Sequence, residues 1–279
     1  MRRSRPIIIG AIGASVQLLA TAIGAYAQMF YVAPDGSDQK GCSNPSTPCA
    51  TFQHAVDLCP FGGYCAILVA PGVYSQKTNV FYYKVISIVG HQDPIGQCID
   101  RNAVVVDDRL DGIGQGGPIF SAQDHSVLTI RCMTLTAYAR GSIGFATRQF
   151  AIGDVNEVNF LQFPEGYGVS ANETSKISVY SPGIYGNSSR FALAADLSQV
   201  TLVGTIRIGD GLTFEVAFLS ALFNSVVSVY PSAIVGGAGM SGASYQCVDA
   251  LIKKMSCSLV GTFPTEETIT AIFGERFYA

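Results

Sequence analysis

Four segments of the chain share one pattern of polar and apolar positions: SVLTI from Ser126, SKISV from Ser175, SQVTL from Ser198 and SVVSV from Ser225. Two and four places after each serine stand Leu128 and Ile130, Ile177 and Val179, Val200 and Leu202, and Val227 and Val229. An apolar side chain at every second position predicts a strand with one buried face. The starts lie 49, 23 and 27 residues apart, and FAIGDVNEVNF from Phe150 fills the first gap as one more strand. The repeat is therefore about 24 residues, in the range of stacked-repeat architectures. A second strand follows in each repeat and ends at Gly186, Gly209 or Gly236. There the chain must turn a corner, and glycine reaches positive φ without a Cβ clash.

Helical periodicity is scarce through this region, whereas a globular α/β fold needs helices of about ten residues or more between its strands. The pattern predicts a parallel β-helix of about seven to nine coils, each of about 20 to 29 residues. An antiparallel sandwich, which also carries frequent turn signals, is the alternative. One helix is predicted over Thr51–Cys59, where Phe52, Ala55, Val56 and Cys59 fall at i, i+3, i+4 and i+7 on one face. It is placed as an N-terminal plug, since an uncovered coil exposes apolar side chains and strand edges. The chain reads as one domain: a cap over residues 30–65, coils over 66–240 and a C-terminal cover over 241–279. The segment Asp107–Pro118 is an excursion from the coils rather than a linker.

Before the coils, Arg2, Arg3 and Arg5 precede an apolar run from Ile7 to Ile23 and the small-residue site Ala25-Tyr26-Ala27. This is the form of a signal peptide over residues 1–27, cleaved after Ala27. An uncleaved anchor is the alternative, weakened by Gly10, Gly13, Gln17 and Gly24. Removing the leader leaves 14 basic and 20 acidic side chains, a net charge of −6. That balance gives no general attraction for nucleic acid, or for membrane after cleavage. A polyuronate partner would need a local basic groove or bound Ca²⁺.

Export also gives the eight cysteines their reading as disulfides. Cys42 with Cys49, Cys59 with Cys65, and Cys247 with Cys257 flank short loops and are expected to pair locally. Cys98 and Cys132 are left to join, with a buried Cys132 thiol as the alternative. His54, His91 and His125 are scattered, and no metal site is expected.

The stretch FYVAPDGSDQKGCSNPSTPCATFQHAVDLC from Phe30, followed by AILVAPGVY from Ala66 to Tyr74, resembles the N-terminal cap and first coil of right-handed parallel β-helix proteins. That is the pectin lyase-like superfamily of pectate lyases, polygalacturonases and pectin methylesterases. The resemblance implies an all-β, single-stranded right-handed parallel β-helix with an N-terminal amphipathic capping helix, and a carbohydrate partner. The enzymes' own motifs are fragmentary here. Gly90-His91-Gln92 and Asp107-Asp108 lie out of the polygalacturonase order and context, Gln76 stands where a methylesterase has Glu, and the chain has no Trp.

Two functional classes follow. The first is a secreted or cell-surface protein that binds or scaffolds extracellular polysaccharide without catalysis, with Tyr82, Tyr83, Tyr180, Tyr185 and Tyr230 as candidates for a binding strip. The alternative is a polysaccharide lyase or glycoside hydrolase, with Asp107, Asp108 and Asp111 as acids or Ca²⁺ ligands and Arg109 as a clamp on substrate charge. No cofactor is expected in the first case, and Ca²⁺ only in a lyase. Asp154 and Glu157, three places apart on a strand, are expected to point to opposite faces and so not to act together unless a bulge intervenes.

Overall fold

The computed structural model describes residues 28–39, 41–109 and 116–242, and the short segments 245–248, 251–254, 259–260 and 270–272. The expected leader, Asp111, Cys257 and most of the expected C-terminal cover lie outside the described residues. What is described is a parallel β-solenoid of about seven turns built from two sheets. Strands Gln28–Val32, Tyr64–Val69, Val85–Val89, Val127–Thr136, Ile152–Phe160, Lys176–Tyr180, Gln199–Ile208, Val226–Gly236 and Leu251–Lys254 stack in that order in the first. The second runs from Thr78–Val80 through Pro118–Ala122, Ile143–Thr147, Phe163–Ala171, Ser188–Ala194, Phe214–Leu222 and Tyr245–Val248 to Thr270–Ile272. Neighbours in both stacks pair in parallel, which an antiparallel sandwich cannot do.

The repeat can be followed residue by residue. Val127 stands beside Ile152, Ile152 beside Lys176, Lys176 beside Gln199, and Gln199 beside Val226. In the same registers Leu128, Ile177, Val200 and Val227 form one buried row, and Ile130, Val155, Val179, Leu202 and Val229 another. The apolar ladder predicted from alternation is the core. Outward from it runs a polar row of Ser87, Thr129, Asp154, Ser178, Thr201 and Ser228.

The corners differ from the glycine expectation. Entering the first sheet, six successive coils turn on two consecutive non-glycine residues in the left-handed region: Tyr82 and Tyr83, Asp124 and His125, Gln149 and Phe150, Glu173 and Thr174, Asp196 and Leu197, Phe223 and Asn224. Such residues tolerate that conformation at a cost of about 1–2 kcal/mol each, and the corners offset it with hydrogen bonds. Backbone N–H groups of His125, Phe150, Thr174 and Leu197 each donate to the carbonyl of the corner one coil on. The serine that follows closes the turn inward, as where Ser225 Oγ donates to Ala194 O at 2.7 Å. Ser175 Oγ makes the same kind of bond to Thr147 O at 3.0 Å, and Ala151 takes the serine's place in the coil that begins at Phe150. Of the glycines predicted at corners, Gly236 does have φ +87°. Gly186 is needed for another reason: a Cβ there would meet Leu161 O at 1.5 Å.

The helix spans Phe52–Leu58, with the Thr51 hydroxyl accepting from His54 N at 3.2 Å as its N-cap. It buries Phe52, Ala55 and Val56 against the strands Gln28–Val32, Tyr64–Val69 and Thr78–Val80, and the Phe52 ring lies 5.0 Å from that of Tyr74. Disulfides Cys42–Cys49 and Cys59–Cys65 stand on either side of it, and Cys98 is joined to Cys132. Cys132 is therefore no free thiol. The expected Cys247–Cys257 pair involves a residue outside the described ones.

Candidate functional site

Between strands Val85–Val89 and Val104–Asp107 the chain leaves the solenoid in a loop that Asp93 folds tightly, its Oδ1 accepting from Ile95 N and Gln97 N. The Cys98–Cys132 disulfide pins this loop to the corner where the first sheet bends. At that corner Cys132, Glu157 and Ser181 each adopt a left-handed conformation, one per coil. The bend brings side chains far apart in sequence against the loop. Thr134 Oγ1 donates to Arg101 O at 3.0 Å, Asn159 Nδ2 to Asn102 Oδ1 at 3.2 Å, and Arg101 Nη1 to Ser181 O at 3.0 Å.

The result is a cleft of about 310 Å³ whose wall includes Asp100, Arg101, Asn102, Asn159, Tyr185 and Arg207. Burial lowers the pKa of Arg101, nearby Glu157 opposes that, and Arg207 adds like-charge repulsion. Glu157 is shared, lying 4.0 Å from Arg101 and 3.2 Å from Arg131. Arg207 is exposed and has no carboxylate partner among the described residues. Tyr185 also borders a second cleft of about 600 Å³, with Thr136, Tyr138, Gln162 and Asn187 in its wall. The two clefts share Tyr185; the first offers guanidinium groups and amides, and the second mixes polar groups with Tyr138, Leu161 and Leu212.

Sequence reasoning missed Arg101, Asn102, Asn159 and Arg207, because no local motif joins them. A faint signal exists in retrospect, since Arg131 and Glu157 pair across neighbouring coils and so sit one repeat apart. The alternation argument for Asp154 and Glu157 also fails here. The left-handed Glu157 interrupts the strand's alternation, and both acids are partly exposed on the outer side. Burial pushes the Asp154 carboxyl up, partly countered by a hydrogen bond with Ser178.

The acidic cluster chosen from sequence lies at the edge of the second cleft, where Asp107 pairs with Thr136 in register. Its two described carboxylates, Asp107 and Asp108, are engaged. Asp107 is fully buried, with Arg109 Nε donating to its Oδ2 at 2.6 Å. Burial pushes Asp107 up, but hydrogen bonds from Arg109 and Ser75 outweigh it and hold the carboxyl below its ordinary value. Arg109 in turn lies over the Tyr138 ring at 4.7 Å. Asp108 accepts from Tyr138 N at 2.7 Å, Ala139 N at 3.1 Å and the Ser142 hydroxyl. This geometry clamps the 137–142 turn rather than presenting an acid to solvent. We expect Asp108→Asn to cost about 1–2 kcal/mol, because its amide turns a donor toward donors; urea unfolding measures it.

The tyrosines separate. Tyr83 stacks on His125 at 5.0 Å and 11°, and His125 on Phe150 at 5.1 Å and 15°. In this exterior ladder His125 is covered on both faces, while Tyr83 and Phe150 stay exposed. Tyr82 lies beside Phe81, 5.8 Å between centroids. Tyr180 and Tyr230 flank Val203 in one outward row, half exposed. Tyr185 alone of the five lines the cleft with the arginines.

Among the described residues, the single cluster with the reach to hold a metal is Cys42, Cys49 and His54. Its two sulfurs are bonded to each other and offer no thiolate. No protein-family model matches the chain, and no curated protein matches it. Among solved structures, the crystal structure of Escherichia coli YbhC is similar at 13% identity with a TM-score of 0.46, over 90% of this chain and 75% of that one.

Proposed function

We propose that the protein binds extracellular polysaccharide without catalysis, and that the Arg101, Asn159, Tyr185 and Arg207 cleft is where an acidic chain lies. The observation that carries this reading is the pair of guanidinium groups, Arg101 and the exposed Arg207, unpaired among the described residues, that share one cleft wall on a chain that is otherwise acidic. Guanidinium groups recognise carboxylates through charge-assisted, directional hydrogen bonds. A site walled by residues of successive coils, with a second cleft sharing Tyr185, offers a polymer more than one point of contact. In the same reading residues 1–27 are a cleaved leader, the helix Phe52–Leu58 covers the N-terminal end of a right-handed solenoid, and the protein is exported. Three disulfides are compatible with an oxidising compartment, and no helix among the described residues is long and apolar enough to cross a membrane.

Pectate, alginate and neutral glycans, each with and without Ca²⁺, test the reading when binding, unsaturated products and reducing ends are all recorded. Binding of an acidic glycan without turnover, weakened about tenfold or more in Arg101→Ala/Arg207→Ala, is expected. Loss of two charge-assisted contacts supports that magnitude. Turnover that disappears in Asp154→Asn would establish the lyase or hydrolase reading instead, which the burial-raised acid in the outward polar row favours.

A further inference from the structure

A second arginine site lies on the other sheet. Arg190, in the strand Ser188–Ala194, reaches across its neighbours: Nε donates to Ser220 Oγ at 3.0 Å and to Gln246 Oε1 at 3.2 Å, and Nη2 to Gln246 Oε1 at 3.1 Å. On the other side Nη1 donates to the Tyr167 hydroxyl at 3.3 Å, with the guanidinium 5.6 Å from that ring's centre. Ser220 completes the set by donating to Gln246 Oε1 at 3.1 Å. The four residues come from four consecutive strands of the second sheet.

Every one of these partners is neutral, and no carboxylate pairs with Arg190 among the described residues. A half-buried guanidinium without a counter-charge is unfavourable unless something else satisfies it. The packing does not call for a charge at this position, since its register neighbours are Tyr167 and Ala217. Of the five N–H donors of an arginine, the contacts above use Nε–H and one on each terminal nitrogen. One N–H on Nη1 and one on Nη2 are left over, on a side chain that four contacts hold still. We propose that Arg190 is an anion seat that takes a carboxylate, through those two donors, with Tyr167, Ser220 and Gln246 fixing its orientation. The site is separate from the Arg101 cleft and stands whether or not a polymer binds there.

The test follows the arginine Nε–H resonances of the ¹⁵N-labelled protein as sodium acetate, sodium glucuronate or glucose is added, against sodium chloride at equal ionic strength. A saturable shift of one resonance with both carboxylates is expected. That resonance is absent in Arg190→Lys, and the response persists in Arg101→Ala/Arg207→Ala. Arg190→Gln should weaken acetate binding at least tenfold. Equal affinity for acetate and glucuronate means that the carboxylate alone is read, and tighter glucuronate means that the surrounding hydroxyl and amide groups read the sugar as well. No saturable shift beyond the chloride control, an equal response to glucose, or loss of the response in the Arg101→Ala/Arg207→Ala variant overturns the proposal. These outcomes are decided with arginine retained at position 190, so they hold even if its substitution impairs folding.

Discussion

Val200→Asp is expected to abolish the cooperative fold. Val200 is fully buried, stacked in register between Ile177 below and Val227 above. All three belong to the apolar core, which offers a carboxylate neither a cation nor a donor. An uncompensated buried charge costs about 3–5 kcal/mol, much of the stability of an ordinary domain. The position makes the cost larger in effect, since coils of a solenoid lean only on their neighbours and a broken middle coil divides the stack. Circular dichroism and urea unfolding should show a lost or strongly shifted transition. Thr201→Asp, on the partly exposed outward row one residue away, is the control and should unfold close to the parent protein. A Val200→Asp protein whose Tm stays within a few degrees would refute the inward assignment of this strand.

Removing the Cys98–Cys132 bridge should cost both stability and ligand binding. The bridge closes a span of 34 residues, against 7 and 6 for the other two disulfides. Restricting the unfolded chain over that length is worth about 3–4 kcal/mol in the loop-entropy model, more than either short bridge provides. It also tethers the loop that carries Arg101 and Asn102. Cys98→Ala/Cys132→Ala should therefore lower the Tm by several degrees and weaken acidic-glycan binding even at temperatures where the protein is folded. Thermal unfolding and binding isotherms on the same preparation separate the two effects. An unchanged Tm would show that the bridge contributes nothing to the described fold.

The fold was readable wherever one residue's environment follows from its near neighbours in the chain. Leu128, Ile177, Val200 and Val227 announced themselves by alternation, and the 23 to 27 residue spacing announced stacking. Cys42 with Cys49 and Cys59 with Cys65 were close enough for local pairing. The corners were harder. Left-handed pairs such as Asp196 and Leu197 carry no glycine signal, because hydrogen bonds between coils, invisible in one coil's sequence, stabilise the conformation. The DDRLD cluster stood out as chemistry, yet Asp107 and Asp108 turn inward to Arg109, Tyr138, Ala139 and Ser142. Charge density along a chain does not reveal which donors the fold brings to it.

By itself the sequence determined the parallel stack, its repeat length, the helix near Phe52 and the local disulfides Cys42–Cys49 and Cys59–Cys65, since all of these rest on periodicity or short separation. Only the tertiary structure decided that Arg101, Asn159, Tyr185 and Arg207 share a cleft, and that Arg190 meets Tyr167, Ser220 and Gln246. In a solenoid, side chains one coil apart become neighbours at the spacing of paired strands, about 4.8 Å. Which of them meet is set by register and by where each strand bends. Single-residue features such as the left-handed Glu157 control that choice, and they leave no periodic trace in the sequence.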